Sequence, residues 1–503
     1  MSSRLRMILA CLATAVIVVP LGWLWWSSLM PDEYSVLDMG YVDLGGGPDV
    51  DAMDMAGSGH AGMSQGDHGT DHEIDTSTLV GDTRGTPDVR LDLTAREGSF
   101  ELASGREVSG YTLNGSSPGP TLHATQGDLV EVRLTNADVA NGITLHWHGL
   151  DVPNAMDGVA GVTQDAVREG ETFTYRFVAD RAGTYWYHSH QVSHEQVRRG
   201  LFGGIVIRPA GTEETVDSPT LDVPALVHLY DGVRTVNGHE GDLRVPARPG
   251  TVARVRLVNT DNGPMTAWVS GASYRVLAVD GTDLNQPGEV SGKKLVVTAG
   301  GRADLEVVVP ANGTRVELGG NALVLGPAGS EPAKTEAPRT LFDPLTYGQS
   351  APTGIDPAKA DRRFDYVIGR RPGFLDGRPG LWWTINGHLW PDVPMYTVSR
   401  GDLVTMRIEN SSSDVHPMHL HGHHALVLNR DGKPSTGSPW WVDSLNVLPG
   451  ETYVIAFRAN NPGVWMDHCH NLPHAAEGLV AHLMYAGYTT PFKVGGEDRN
   501  EPE

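Results

Sequence analysis

The 503-residue sequence has very little cysteine, with only Cys11 and Cys469. Cys11 lies in an apolar N-terminal run, so a disulfide framework is excluded and Cys469 needs another explanation. Basic residues are also scarce, with 38 against 61 acidic residues and a net charge of −23, which argues against nucleic acid as a partner. Helix-period apolar runs are few, whereas 61 glycines and 33 prolines favour an all-β fold of short strands and turns.

One long apolar run is present, from Met7 to Trp26, and Arg4 and Arg6 precede it. A run of about 20 apolar residues can span a bilayer, and basic residues stay on the cytoplasmic side. We therefore predict that residues 1–30 anchor an extracytoplasmic protein to the cytoplasmic membrane without being cleaved. Secretion after cleavage is the main alternative, and lipidation at Cys11 is a lesser one.

Residues 31–87 are rich in Gly, Asp, Ser, Met and His and show little apolar periodicity, which predicts a flexible spacer. Thioethers and imidazoles together suit copper, Cu(I) especially. The spacer residues with these groups are Met39, Met53, Met55, His60, Met63, His68 and His72. The same composition also fits a solvated tether whose Met and His content is incidental.

The rest of the sequence repeats three times an Asn-Gly pair that is followed at similar offsets by Gly, Arg and Asn. The copies begin at Asn114, Asn237 and Asn386. Three copies imply three related domains. The domains and a short acidic tail are expected at 88–212, 213–350, 351–492 and 493–503.

A second repeat joins only the first and third copies. Gly170–His190 aligns without gaps to Gly450–His470, with Ser189 opposite Cys469. Apolar and polar residues alternate in both segments, as in strands of small β-sandwiches or barrels. The middle copy lacks the histidine pairs, so we expect a domain without copper motifs.

Four short segments of these repeats carry ten of the 21 histidines. They are His146-Trp-His148, His188-Ser-His190, His416-Pro-Met-His419-Leu-His421, and His468-Cys469-His470 with His474. On a strand, residues two apart share a face, so each His-x-His presents two imidazoles to one point. Eight imidazoles can thus converge from two domains. The isolated His194, His423, His424 and His482 are interpreted as ordinary structural histidines.

The same alternation sends Cys469 to the face opposite His468 and His470. Cys469 can then form a second site with His416 and His474. A thiolate with two imidazoles is the ligand set of a blue copper centre. One short stretch of backbone would connect the two sites for electron transfer.

These segments resemble the four copper-binding motifs of three-domain multicopper oxidases, the laccase and cuprous oxidase family, over about residues 88–490. The resemblance implies three cupredoxin-like Greek-key β-barrel or sandwich domains and four copper ions. By motif, the type 1 copper ligands would be His416, Cys469 and His474, and the type 2 ligands His146 and His419. The type 3 pair would take the other six: His148, His188, His190, His421, His468 and His470. Leu479 stands at the family's axial position, where methionine would donate, so a raised type 1 potential is expected.

Three acidic residues extend the resemblance. Asp157 matches a carboxylate that helps deliver protons to reduced oxygen beside the three-copper cluster, although an ordinary Asp-Gly turn would look the same. Glu477 is the nearest candidate for a second proton donor. Asp443 resembles a carboxylate at the substrate edge of bacterial cuprous oxidases and is expected, with His416 and His474, to bind substrate.

The implied activity is one-electron oxidation of a substrate, transfer through Cys469, and four-electron reduction of dioxygen to water. The expected substrate is Cu(I), which would indicate copper tolerance, or a phenol or aromatic amine. A non-catalytic extracytoplasmic copper-binding or storage protein is the alternative from another class. Oxygen consumption distinguishes the two.

Overall fold

The computed structural model describes residues 3–47, 73–211 and 220–503. Its first element is helix α1 (Ser3–Ser27), which has no buried residue. The helix is long and apolar enough to cross a membrane, as either an anchor or a signal sequence would be. An apolar helix that no protein surface covers is typical of a lipid-facing segment.

The rest of the described chain consists mostly of strands. Three short strands lead from the helix into the body: β1 (Glu33–Tyr34), β2 (Tyr41–Asp43) and β3 (Ile74–Asp75). The first sandwich contains β4 (Val89–Glu101), β5 (Glu107–Leu113), β6 (Gly119–Thr125), β7 (Leu129–Asn136), β8 (His146–His148), β9 (Thr172–Val178), β10 (Gly183–His188), the short helix α2 (Ser193–Gln196) and β11 (Phe202–Arg208).

The second sandwich contains β12 (Thr220–Tyr230), β13 (Val233–Val236), β14 (His239–Glu240), β15 (Leu243–Pro246), β16 (Val252–Asn259), β17 (Met265–Ser270), β18 (Arg275–Val279), β19 (Thr282–Asp283), β20 (Lys293–Val297), β21 (Arg302–Val308), β22 (Thr314–Leu318), β23 (Asn321–Gly326) and β24 (Thr340–Leu341). Single 3-10 turns occur at Val36–Asp38, Thr76–Thr78, Asn154–Met156, Pro344–Thr346 and Pro357–Lys359.

The third sandwich contains β25 (Arg362–Leu375), β26 (Arg378–Ile385), β27 (His388–Leu389), β28 (Pro394–Val398), β29 (Leu403–Asn410), β30 (His416–Leu420), β31 (Ala425–Arg430), β32 (Lys433–Pro434), β33 (Trp441–Val442), β34 (Ser444–Val447), β35 (Thr452–Arg458), β36 (Val464–Cys469), helix α3 (Leu472–Ala476), β37 (Val480–Tyr485), β38 (Tyr488–Thr489) and β39 (Val494–Gly495).

Each sandwich is built from two mixed sheets. The strand orders are β5-β4-β7-β9 with β6-β11-β10-β8, then β14-β13-β12-β16-β21-β18-β19 with β15-β23-β22-β17-β20-β24, then β27-β26-β25-β29-β35-β31-β32 with β2-β28-β37-β36-β30-β34. Equivalent parallel pairs recur in all three, β4 with β7, β12 with β16 and β25 with β29. The predicted all-β class is therefore confirmed.

A separate hydrophobic core fills each sandwich. The first surrounds Trp147 and Tyr175, the second Val255 and Leu305, and the third Trp383. Sheets that face each other across such a core alternate buried and exposed residues along each strand. The predicted domain limits stay predictions, and the limit at 212 falls outside the described residues.

The Asn-Gly pair of each sequence repeat has the same role in all three sandwiches. Asn114, Asn237 and Asn386 take left-handed φ values of 56°, 52° and 53°, a conformation that asparagine tolerates in turns. The amide nitrogen of each side chain donates to a backbone carbonyl at 2.8 Å, and its oxygen accepts a backbone N–H at 2.7–2.8 Å. The repeat therefore marks one turn that is built three times.

The prediction of a flexible spacer at 31–87 is wrong at both of its ends. Strand β2 adds in parallel to β28, β3 pairs with β38, and β1 pairs with β39. Met39 lies within this ordered part, whereas the other predicted spacer ligands, from Met53 to His72, lie outside the described residues. Strands of two or three residues are too short to show an alternating pattern, so the sequence carried no signal for them.

The acidic tail at 493–503 lies against the first sandwich. The Asn500 side chain accepts the Ala166 N–H at 2.8 Å, and the Glu503 carboxylate lies 2.8 Å from His194 Nδ1. The tail begins at β39 and follows the last strands of the third sandwich in the chain, so it connects that sandwich to the first.

Arg302 joins all three sandwiches. Its two terminal nitrogens lie 2.5 Å from the two carboxylate oxygens of Asp443 in the third sandwich, and its Nε donates to the Thr184 carbonyl in the first. Its backbone N–H donates to Asp280 at 2.9 Å. Arg302 is 1% exposed and Asp443 is 4% exposed, so a bidentate ion pair is buried where the sandwiches meet.

The substitution Arg302→Met is expected to lower the free energy of unfolding by about 3–5 kcal/mol, because it leaves a buried carboxylate without its partner. Guanidinium unfolding followed by tryptophan fluorescence measures the change. Arg84→Gln, which disrupts a pair on the surface, serves as the matched control and should leave the curve unchanged. An Arg302→Met curve that overlays the parent curve would contradict the assignment.

Candidate metal centre

Strand pairing brings the four histidine segments together in two sets. In the first sandwich β8 pairs with β10, which places His146 opposite His188. In the third sandwich β30 pairs with β36, which places His419 opposite His468. The two sets face each other across the interface between these sandwiches. Eight histidines meet there, each at most 1% exposed: His146, His148, His188, His190, His419, His421, His468 and His470.

Two of the eight form a pair with their ring nitrogens turned toward each other. His146 Nε2 lies 3.4 Å from His419 Nε2. The opposite nitrogen of His146 contacts the Asp157 carbonyl at 3.0 Å, and that of His419 contacts the Asp443 carbonyl at 2.8 Å. Because these outer contacts need an N–H on Nδ1, both Nε2 lone pairs are free for one metal ion.

The other six histidines form two groups of three. The candidate ligand atoms of His190, His421 and His468 all lie within 4.8 Å of one another. The rings of His148, His188 and His470 have centroids 4.9–5.7 Å apart. The first group directs three imidazole nitrogens toward one point, and the rings of the second group lie at similar separations, so each set of three imidazoles suits one copper ion.

Several buried nitrogens in these groups have no hydrogen-bond partner among the described residues but could bind a metal ion. His148 Nδ1 and His188 Nε2 make no hydrogen bond to any described residue. An unsatisfied buried nitrogen costs about 1–3 kcal/mol, a cost that a metal–ligand bond removes. Burial also lowers the pKa of both rings well below the ordinary value, which keeps them neutral and able to bind metal.

A separate site lies in the core of the third sandwich. Cys469 Sγ is 3.6 Å from His416 Nδ1 and 3.7 Å from His474 Nδ1, and these two nitrogens are 3.3 Å apart. Ser412 Oγ at 2.8 Å and Asn471 Nδ2 at 3.1 Å hold the Nε2 atoms of His416 and His474. Both rings are thereby oriented with Nδ1 toward the sulfur.

In its buried surroundings, Cys469 can form a thiolate only when a metal ion binds the sulfur. Burial raises the pKa of the thiol, so the sulfur stays protonated until a metal ion displaces the proton. Leu479 is fully buried in the same core and brings no donor atom. The three remaining donors, one sulfur and two nitrogens, are the set that a blue copper ion takes.

The structure places Asp157 against the histidine cluster. Its two carboxylate oxygens lie 3.1 Å from His146 Nδ1 and 2.9 Å from His421 Nδ1, and the residue is fully buried. Gly158 has a φ of +78°, and a Cβ there would lie 1.8 Å from the Leu145 carbonyl oxygen. Only glycine fits this turn, which holds Asp157 beside β8.

The other two predicted acidic residues are placed differently from expectation. Asp443 is buried against Arg302, with one oxygen 3.2 Å from His148 Nε2, so it lies at the histidine cluster and not beside His416 and His474, where it was expected to bind substrate. Glu477 accepts the Trp383 indole N–H at 2.9 Å. That ring packs on His416 and His474, so Glu477 lies on the Cys469 side and the prediction of a proton donor to the cluster is wrong. Both errors arose because motif position alone carries no information about the direction of a loop side chain.

Sequence reasoning missed three residues around the site. Ser444 Oγ lies 3.1 Å from His148 Nε2, Arg302 holds Asp443, and the Trp383 ring shields both histidines of the sulfur site. None belongs to a spaced motif. Only the register between β30 and β34, which sets His419 opposite Ser444, shows why Ser444 is there.

The histidines interpreted as structural have partners of their own. His423 Nε2 lies 2.7 Å from the Tyr485 hydroxyl, and His424 Nδ1 lies 3.1 Å from an Asp151 carboxylate oxygen. His482 Nε2, like His424 Nε2, is buried without a hydrogen bond to any described residue, but His424 Nε2 still lies 3.6 Å from an Asp443 carboxylate oxygen.

Comparisons with known proteins agree with this geometry. Two family models, both described as multicopper oxidase, match residues 94–212 and 362–487. Laccase-1 of Botryotinia fuckeliana is 30% identical over 450 residues, covering 75% of this chain and 79% of the relative. The multicopper oxidase MmcO of Mycobacterium tuberculosis is 28% identical over 457 residues, covering 79% of this chain and 87% of the relative. A solved multi-copper oxidase from Pseudomonas thermotolerans superposes with a TM-score of 0.64 at 30% identity, covering 80% of this chain and all of that chain.

Cupredoxin-like sandwiches with one sulfur site and an eight-imidazole cluster define a copper-dependent oxidase. The chain belongs to the multicopper oxidase family. It is an enzyme with a four-copper cofactor that couples oxidation of a reducing substrate to reduction of dioxygen. The alternative of a non-catalytic storage protein is not favoured.

The copper-free protein is expected to lose stability as the pH falls from about 6.5 toward 3. Burial lowers the pKa of His416 and His468 to about 3 and that of His474 to about 4, against about 6.5 in an unfolded chain. Between these pKa values the unfolded state binds protons that the folded state does not. The free energy of unfolding therefore decreases as the pH is lowered, by up to about 1.4 kcal/mol per histidine per pH unit. Thermal unfolding at pH 7.5, 6 and 5 measures the effect. A midpoint that does not change over this range would contradict the buried, neutral state of the rings.

The substitution Leu479→Met is expected to lower the reduction potential of the sulfur-site copper, because an added thioether stabilises Cu(II) relative to Cu(I). A shift on the order of 60 mV corresponds to a tenfold change in a one-electron equilibrium. Redox titration of the visible thiolate absorption measures it. Leu483→Met, on β37 and buried in the same core as Leu479, is the matched control. An unchanged or higher potential for Leu479→Met would refute the axial position of this residue.

Proposed function

We propose that the chain is an extracytoplasmic oxidase whose main reducing substrate is Cu(I). One observation carries the choice of substrate. The stretch 48–72, with three of the sequence's methionines and three of its histidines, is flanked by β2 and β3, which both pair with strands of the third sandwich. Its soft donors are therefore tethered to the sandwich that holds Cys469, and tethering raises their effective concentration there.

The proposed ligand assignment follows the three kinds of donor set. His416, Cys469 and His474 hold the type 1 copper, and the facing pair His146 and His419 holds the type 2 copper. The two type 3 ions take the remaining six histidines: His148, His188 and His470, and His190, His421 and His468. When bound, these coppers supply one-electron oxidation of the substrate and four-electron reduction of dioxygen to water.

The chain's own residues connect the two chemistries. Cys469 lies in the core of the third sandwich, while His468 and His470 on either side of it face the cluster. One stretch of backbone therefore carries electrons between the sites. Asp157 touches His146 and His421 together, and we assign it to hold a proton beside the cluster.

Electrons are proposed to enter at His474, the half-buried ligand of the sulfur site. The Trp383 ring packs against His416 and His474, with its centroid 4.6 and 4.5 Å from theirs, and helps to exclude water from them. Arg370 stacks over the Trp383 ring at 4.3 Å and fixes it in place. Phenols and aromatic amines are the second candidate substrates, supported by the likeness to a protein named Laccase-1.

We further propose that α1 is an uncleaved anchor and that the body lies outside the cytoplasm. Arg4 and Arg6 precede the apolar run, as expected for a cytoplasmic N-terminus. Directly after the helix, Ser28 Oγ accepts the Gly377 N–H, and the Met30 N–H donates to Asp376. The helix end is thus attached to the third sandwich.

The substrate proposal predicts a selective loss when the donors of 48–72 are removed. Methionines 53, 55 and 63 are changed to leucine, and histidines 60, 68 and 72 to glutamine. The ratio of kcat/KM for Cu(I) to kcat/KM for a phenol, both followed by oxygen consumption, is expected to fall about tenfold, which is about 1.4 kcal/mol of transition-state stabilisation.

Cys469→Ser is the control for the enzyme activity itself. It should abolish the visible absorption and oxygen consumption with either substrate, because the path between the sites is interrupted. A Cu(I)-to-phenol ratio that stays constant in the six-residue variant would count against delivery by this stretch. Full oxygen consumption by Cys469→Ser would refute the role of the sulfur site.

A further inference from the structure

A row of soft donor side chains crosses one sheet of the third sandwich. His482 on β37 is the register partner of Met395 on β28 and of Met466 on β36. Register partners on neighbouring strands share a face and lie about 5 Å apart. Two thioethers therefore flank one imidazole on the same side of the sheet.

The imidazole in this row lacks the partner that a buried polar group needs. His482 is 5% exposed, and its Nε2 makes no hydrogen bond to any described residue. The residues packed around the row are apolar, Val36, Val464 and Val494 among them. Burial lowers the pKa of His482 to about 4, so the ring is neutral and its lone pair is available near pH 7.

The row opens into a cavity with a volume of about 630 Å³. Met466 and His482 line one wall, and Met30 contributes a further thioether. Trp390 also lines it, with its ring centroid 6.3 Å from that of His482. The lining also includes four acidic residues and two basic ones: Asp32, Asp376, Glu501 and Glu503, and Arg378 and Arg499. An ion can therefore reach His482, and the surplus of acidic residues favours a cation.

The donor chemistry selects among cations. Mg²⁺ and Ca²⁺ take oxygen ligands, and Zn²⁺ takes thiolates, imidazoles and carboxylates rather than thioethers. Methionine sulfur with histidine nitrogen is the combination that suits Cu(I). Methionine alone would be explained as core filling, but core filling does not call for an imidazole with an unsatisfied nitrogen.

We propose that Met395, Met466 and His482 form a binding site for a monovalent copper ion, separate from the four catalytic copper sites. The ion lies between the two thioethers at the His482 nitrogen, and the Trp390 ring and the acidic residues of the cavity stabilise its charge. Sequence reasoning assigned His482 no such role, because the three residues come from three different segments and meet only through strand register.

The position of the site indicates how it is used. Strand β2, the last described strand before the stretch 48–72, pairs with β28 and sets Val42 opposite Met395. Met466 lies two residues before His468 on β36, on the same face and about 7 Å along the strand. The site thus lies between β2, the strand that precedes 48–72 in the chain, and the part of β36 that leads to His468. We infer that the site relays copper ions within the protein, and this role rests on the proposed function. Copper binding at the site does not depend on turnover.

Silver(I) tests the site because it is a soft monovalent ion that does not exchange electrons with the catalytic coppers. The purified four-copper protein, with its full chain, is dialysed against Ag(I) buffered by a competing ligand, and bound silver is measured by mass spectrometry. The variants are Met395→Leu/Met466→Leu and His482→Leu. Met265→Leu/Met406→Leu is the matched control, because it removes two equally buried thioethers from other cores.

We expect each of the two site variants to bind one silver ion fewer per chain than the parent, and the control to bind the same number as the parent. Equal numbers in the parent and both site variants would overturn the proposal. Methionine-to-leucine changes conserve volume, so the double variant tests the site even where His482→Leu disturbs folding. Unchanged copper content and thermal unfolding confirm that a variant is folded.

The two proposals fail in distinguishable ways. One silver ion fewer in the site variants than in the parent, together with no preference for Cu(I) in turnover, would refute the substrate and keep the site. The converse result, selective Cu(I) oxidation with no silver lost in either site variant, would refute the site and keep the substrate.

Discussion

The alternation of side-chain direction along β36 is the constraint on which the whole arrangement depends. Successive side chains of a strand point to opposite faces, so three consecutive residues serve two sites. Cys469 points into the core of the third sandwich, and His468 and His470 point to the interface with the first. A shift of register by one residue would exchange the two faces and destroy both sites at once. The strands around β36 therefore have to be held in place firmly.

This constraint places a polar cluster where an ordinary interface would be apolar. Eight imidazoles lie buried between two sandwiches, and their outward nitrogens contact groups such as the Asp157 carboxylate and the Asp443 carbonyl. The second sandwich carries none of the ten motif histidines, yet its Arg302 pairs with Asp443 and also bonds the first sandwich at Thr184. A domain without copper motifs thus stabilises the geometry of a cluster that lies elsewhere. The free energy of metal binding then offsets the cost of burying so many ring nitrogens.

The parts of this structure that repeat locally could be predicted from the sequence, and the parts that depend on distant pairing could not. The Asn-Gly turns and the shared face of each His-x-His pair are set by residues a few positions apart, so both patterns can be recognised in the sequence. Asp443 failed as a substrate ligand because its partner, Arg302, lies 141 residues away and no local pattern links them. The ends of the predicted spacer failed for a related reason, since a two-residue strand such as β3 is defined only by the strand it joins. The row of Met395, Met466 and His482 likewise exists only in the folded sheet.

The end of α1 contacts the hairpin of β25 and β26, so the sandwich beside the helix is the third in the sequence and not the first. The first sandwich follows the helix in sequence, but Ser28 and Met30 bond to Gly377 and Asp376 of the third. In an anchored protein, the C-terminal sandwich would therefore stand closest to the lipid headgroups. A reductant that diffuses along the membrane would then meet the sandwich that holds Cys469 before it met the other two.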